Sequence, residues 1–278
     1  MKENYILALK IFIRYFIFLW LINLVFSVLI SFSEISLEGE SSLSFYINLV
    51  YFSLHILLLF YFIRSFYLKN PLLFATVNFI KFDVRVVSGA VLLGFAIGSI
   101  FPMLTNSAVY VESIPMLKDT ATTALKSYSD FFNDFNVWQL LTHFVVTTLL
   151  LSIFREIFFR GILQRLIQQD ENITKATIQV SLLFTLTFFY YQFNYLDFIS
   201  LFVLSIFLSY TTFITKSILP AIFMSIAYDL PVFILYFFSD LSAHIDFYLT
   251  YQESFAMIYL LLVILGYFGF KLIELGKK

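Results

Sequence analysis

Residues 149–165 read LLLSIFREIFFRGILQR, an apolar helical run interrupted by Arg155, Glu156 and Arg160. The charges interrupt an otherwise apolar run, so the segment reads as a membrane helix with ionic groups in or near its inner half. Charge at the centre of a bilayer costs at least about 2.5 kcal/mol per residue on insertion scales, so each such group needs a partner or a job. Glu156 and Arg160 stand four apart on one helical face, with the acid preceding the base, the order in which such a pair closes well. Its plain reading is an intrahelical ion pair anchoring the helix, with Arg160 also able to snorkel. Arg155, one residue from Glu156, points about 100° away around the helix, so one carboxylate serves both arginines poorly. A second acceptor is expected, and Asp229, the other acid deep in a span, is the candidate for an interhelical ion pair.

The rest of the chain agrees with a membrane setting. Of 278 residues, 61% are hydrophobic and 13% charged, against about 25% charged in soluble domains, and the mean hydropathy is +0.91. Windows long enough to cross the roughly 30 Å hydrocarbon layer fall at 6–30, 45–67, 86–104, 137–159, 174–191, 196–214, 218–238 and 255–272. The fold expected is all-α, a polytopic membrane bundle of about eight transmembrane helices in a single integral-membrane domain, 1–278. The first run is too long for the apolar part of a signal peptide and lacks a cleavage site, so it is expected to remain as an anchor.

With the N-terminus placed in the cytoplasm, Lys10, Arg14, Arg64, Lys69, Lys81, Arg85, Arg165, Lys175, Lys216 and Lys271 share that side with both termini, and Lys118 and Lys126 fall outside. The positive-inside rule then places both termini in the cytoplasm of a bacterial-type cytoplasmic (inner) membrane. Two connections exceed a turn. Residues 70–85 mix apolar and basic side chains, as an interfacial helix would. Residues 105–136 carry Leu117, Ala121, Leu125, Tyr128, Phe132 and Phe135 at spacings of three or four, an outer amphipathic segment that reads as a lid or as a docking surface.

Composition also excludes chemistries. A net charge of −1 leaves no basic patch for nucleic acid. Without Cys there is no thiolate chemistry, and three His do not assemble a metal cluster. No cofactor or metal is expected. His55 reads as a hydrogen-bonded bundle residue, His143 as structural and His244 as a loop residue. Phe (38) and Tyr (18) far outnumber Gly (8), so packing through bulky aromatics is expected over small-residue contacts.

Three ordered stretches carry a family resemblance. They are Arg155-Glu156-Ile157-Phe158-Phe159-Arg160-Gly161, then Phe184-Thr185-Leu186-Thr187-Phe188, then Ser225-Ile226-Ala227-Tyr228-Asp229 following Ser217-Ile218-Leu219-Pro220. Over about 137–230 the chain resembles the CAAX protease and bacteriocin-processing (CPBP, or Abi) family of intramembrane proteases. That family shows EExxxRG at the inner end of a helix, FxxxH on the next, and an HxxxN-type motif after a Ser-hydrophobic-Pro run. The resemblance implies a CPBP-like core in helices four to seven. Phe159, Arg160, Gly161, Gln164, Ser181, Leu183, Phe184 and Pro220 match its scaffold positions.

The catalytic positions do not match. The resemblance implies a first glutamate that activates water, as base or in a metal site, and histidines that support the water or the oxyanion. Arg155 stands at that glutamate, Phe188 at the first histidine, Ser225 at the second and Asp229 at the asparagine. Arginine accepts no proton and phenylalanine offers neither lone pair nor donor. With Glu156 and Arg160, these six degenerate positions are expected to form no catalytic set. The reading is a catalytically inactive membrane protein of this family, a scaffold, chaperone or regulatory subunit whose partners are the lipid bilayer and another membrane or envelope protein. The alternatives are an active endopeptidase in which Glu156 activates water with help from Arg160, Tyr190 or Tyr191, or a bacteriocin-immunity-type or transport protein.

Overall fold

The computed structural model describes residues 3–32, 41–70, 83–108, 136–188, 195–238 and 252–276. Among them stand eight helical rods: α1 (Glu3–Phe32), α2 (Ser41–Lys69), α3 (Val84–Ala108), α4 (Val137–Asp170), α5 (Ile173–Leu186), α6 (Tyr195–Thr215), α7 (Leu219–Phe238) and α8 (Gln252–Leu275). Helices α1, α2, α4, α6 and α8 are long and apolar enough to cross a membrane, and α3, α5 and α7 supply shorter apolar stretches. The protein is a multi-pass helical membrane bundle, with Ile13, Ile17, Leu57, Tyr61, Leu260 and Leu261 on its outside, a surface suited to lipid rather than water. The outer amphipathic segment lies outside the described residues except at its edges, as do His244, Tyr190, Tyr191 and all but the ends of the 70–85 connection.

Helix α4 is the axis of the core. Asn136 opens it with a reciprocal cap, its side chain accepting from the Gln139 N–H while the Gln139 side chain accepts from its own N–H. The helix runs past the expected end at 159 to Asp170, where Glu171 turns extended and Asn172 caps α5. Tyr5 N–H donates to the Asp170 carboxylate at 2.8 Å, so the start of α1 and the end of α4 share one end of the bundle. Between its termini α4 is not uniform. Phe144–Leu150 and Ile157–Leu163 wind as π-helix around an α-helical Leu151–Glu156. The wide turns close with i→i−5 bonds, Leu151 N–H to Val146 O and Gln164 N–H to Phe159 O. Each adds about one residue per turn and shifts the faces that follow, a device common at functional sites.

Aromatics fill the space around α4 as composition implies. Tyr15 of α1 packs on Phe158 with ring centroids 4.8 Å apart, Phe62 of α2 on Phe158 at 6.2 Å, and Phe184 of α5 on Phe159 at 5.3 Å. Within this cluster Tyr15 Oη and His55 Nε2 lie 2.5 Å apart, the hydrogen-bonded role expected of His55. His143 is buried between Phe52 and Phe233. Tyr15→Phe is expected to cost about 1–2 kcal/mol by stranding the buried imidazole, read as a lowered unfolding midpoint in detergent; an unchanged midpoint would show the bond to be dispensable.

The expectation that small residues matter little is corrected at α3. Cβ atoms built on Gly94 and Gly98 would collide with the Met224 and Tyr228 carbonyls of α7, and those on Gly89 and Gly269 with each other's carbonyls across the contact with α8. In a bilayer no hydrophobic force pulls helices together, so close backbone approach through small residues supplies the contact. Three glycines therefore decide where α3 sits, whatever the aromatic count.

Candidate functional site

The candidate site lies where α4, α5, α6 and α7 converge. Glu156 and Arg160, both fully buried, face each other with Arg160 Nε 3.2 Å from Glu156 Oε2. The ion pair expected from spacing is present, but Arg160 does not snorkel. Its Nη2 donates to Ser205 Oγ at 2.8 Å and to the Ser205 carbonyl at 3.4 Å. One turn on, Gln164 Nε2 donates to the Ser209 carbonyl at 2.9 Å. Helices α4 and α6 are thus laced by two rungs, Arg160 on Ser205 and Gln164 on Ser209. Sequence reasoning passed over both serines, although two hydroxyls four apart on an apolar helix mark one polar face.

Arg155 takes a different partner from the one expected. It contacts Ser225 of α7, Nη2 donating to Ser225 Oγ at 2.7 Å, with Ser152 Oγ at 3.5 Å and Ser225 Oγ 3.3 Å from Ser152 Oγ. The contact to Glu156 is loose, 3.8 Å from Arg155 Nε to Oε1. Among the described residues no ion pair joins Arg155 to Asp229. Ser225 sits one helical turn before Asp229 on the same face of α7, and the guanidinium meets its hydroxyl first. Asp229 is left half-buried on that face.

Two aromatic rings complete the enclosure. The Arg155 guanidinium carbon lies 5.0 Å from the Phe184 ring centroid and 5.1 Å from that of Phe188, while Arg160 lies 4.9 Å from Phe184 on its own side. Such cation-π contacts gain when desolvated, reaching about 2 kcal/mol. The tertiary structure therefore brings both Phe188 and Ser225 against Arg155, with Glu156 and Arg160 alongside. The result is a polar cluster in which the Arg155 guanidinium stands between Ser225 and the Phe184 and Phe188 rings. Chemically, the carboxylate is flanked by two guanidiniums, and Phe188, against Arg155, offers no group that could pass a proton. Among the described residues no group of three or more His, Cys, Asp or Glu converges as a metal site would require.

Not every polar atom here has a partner. Neither oxygen of Glu156 takes a hydrogen bond, so charge alone holds it, and Arg160 Nη1, Gln164 Oε1, Ser181 Oγ and Ser209 Oγ also lack partners among the described residues. Buried polar groups are nearly always satisfied. Their concentration along one side of α4 marks this as the polar heart of the bundle.

Neither a curated protein nor a solved structure matches the chain. One family model does, over 137–231, the helices α4 to α7 as far as Pro231 and about a third of the chain. The resemblance read from the three motifs thus reappears over the same helices, and all five contacting residues lie inside the match. Over that core, this multi-pass membrane protein is similar to the family described as type II CAAX prenyl endopeptidase Rce1-like.

Proposed function

We propose that the protein is a catalytically inactive relative of the CAAX-protease-like membrane proteins, kept as a scaffold, chaperone or regulatory subunit for another membrane or envelope protein. One observation carries this reading. The position where the family resemblance implies a water-activating glutamate holds Arg155, and that guanidinium occupies the space between Ser225, Phe184 and Phe188. Filling the cavity with a cation removes both the base and the room for a nucleophilic water. Losing one member of a catalytic unit typically costs orders of magnitude in rate; here the positions of the glutamate and of both histidines differ together. Lysines and arginines near the span ends support a bacterial-type cytoplasmic membrane with both termini inside.

Two measurements test the reading. Purified full-length protein in lipid nanodiscs is expected to leave a prenylated CAAX peptide intact under conditions where an active family enzyme cleaves it. Cleavage that disappears in a folded Glu156→Gln variant would overturn the inactivity. For the scaffold role, mild-detergent affinity purification from the native membrane with mass spectrometry is expected to recover a stoichiometric membrane or envelope partner. Clean recovery of the chain alone would sink it.

A further inference from the structure

A cavity of about 230 Å³ opens at the far end of the polar core, lined by Arg160, Gln164, Arg165, Gln168, Thr212 and Lys216 with Phe213 as an apolar wall. It lies beside the ends of α4 and α6, at the end of the bundle where α1 begins. Three of its side chains are cationic and none is acidic. Glu156 lies 3.2 Å from Arg160 but is not among the residues that line the cavity.

The donor set is built rather than accidental. Arg160 is fully buried, lines the cavity, and has Nη1 without a partner; Gln164, 1% exposed, presents a partnerless Oε1; Gln168 presents a partnerless Nε2. Together they offer a planar guanidinium N–H and an amide N–H for anionic oxygens, and an acceptor for a hydroxyl on the same ligand. Lys216 supplies the rim, and its backbone has φ 52°, the left-handed conformation, the one such non-glycine residue among those described. A glycine would hold that turn without strain, so the chain carries a lysine there at an energetic cost, a pattern typical of binding sites.

We infer that this cavity binds a phosphate group, either the headgroup of an anionic phospholipid or a soluble phosphomonoester. Arg160 and Gln168 donate to the phosphate oxygens, Lys216 closes over it from the rim, and Gln164 accepts from a hydroxyl of the attached alcohol. The half-open mouth and the Phe213 wall leave room for the ester substituent. The site shares Arg160 with the polar core but not Arg155, Phe188 or Ser225, and the inference does not depend on whether the core is catalytic.

The test uses the full-length protein in nanodiscs of phosphatidylcholine with or without phosphatidylglycerol, with lipid retention read by native mass spectrometry. It adds inorganic phosphate and glycerol 3-phosphate as soluble probes. Wild type is expected to retain phosphatidylglycerol or to bind a soluble phosphate. Lys216→Gly, which removes the charge while relaxing the backbone and so keeps the fold, and Gln168→Glu are each expected to weaken that binding about tenfold, the scale of one lost charge-assisted hydrogen bond. Competition by glycerol 3-phosphate assigns the soluble source, and retention of phosphatidylglycerol without competition assigns the lipid. Lys69→Glu, on the exposed end of α2, is the control for general surface charge. No preference of wild type for either phosphate source would overturn the inference. So would unaltered binding in both cavity variants, or an equal loss in the Lys69 variant.

Discussion

Glu156→Ala is expected to lower the unfolding free energy by about 3–5 kcal/mol, the cost of stranding a buried charge by removing its partner. The carboxylate lies between two guanidiniums, 3.2 Å from Arg160 and 3.8 Å from Arg155, with no exposure to solvent. Taking it away leaves two cations facing one another inside the bundle. Arg160→Ala is expected to match that loss, since it strands Glu156 and frees Ser205 on α6 as well. The double replacement Glu156→Leu with Arg160→Met is expected to be markedly less harmful than either single change, because the desolvation cost of both charges vanishes together. Denaturant titration of the purified protein in mixed micelles would read all three. A double variant as unstable as the sum of the singles would show that the pair contributes through contacts beyond its own charges.

The second large effect is expected at Gly98→Ala. In an unconstrained helix interior, glycine to alanine gains about 1 kcal/mol. Here the added methyl would run into the Tyr228 carbonyl of α7, a backbone atom that cannot rotate away, so the sign reverses and a loss of about 3 kcal/mol is expected from overpacking. Gly94→Ala, against Met224, is expected to behave alike. Gly266→Ala is the control: its methyl would meet Ala96 Cβ at 3.4 Å and Leu93 Cδ1 at 3.7 Å, ordinary contact, and is expected to be neutral or mildly stabilising. Thermal unfolding and the monodisperse fraction after size exclusion distinguish the cases. A stabilised Gly98→Ala would mean that α3 and α7 do not approach as closely as the structure has them.

The reach of sequence reading differs from element to element. The eight apolar windows correspond to the eight described helices because bilayer thickness imposes a length and a composition that one strand of text displays directly. The Glu156 and Arg160 pair was equally legible, since i,i+4 spacing is a local property. The glycines of α3 were visible as Gly94 and Gly98 four apart, yet aromatic abundance masked them; counts describe the average contact, and a helix crossing depends on the closest one. Nothing in residues 144–150 or 157–163 announces a π-turn, because that winding answers to what packs around α4.

The amino-acid sequence by itself determined that this is a polytopic helical membrane protein, which residues interrupt its spans, and which stretches resemble the CAAX-protease core. Those properties reside in composition and local spacing. Only the tertiary structure decided that Arg155 turns to Ser225 instead of Asp229, that Phe184 and Phe188 close over it, that Ser205 and Ser209 receive Arg160 and Gln164, and that Lys216 joins them at one cavity. The physical reason is reach. A guanidinium several bonds long settles on whichever acceptor the crossing of two helices brings nearest, and that crossing is set by close packing among residues far apart in the chain.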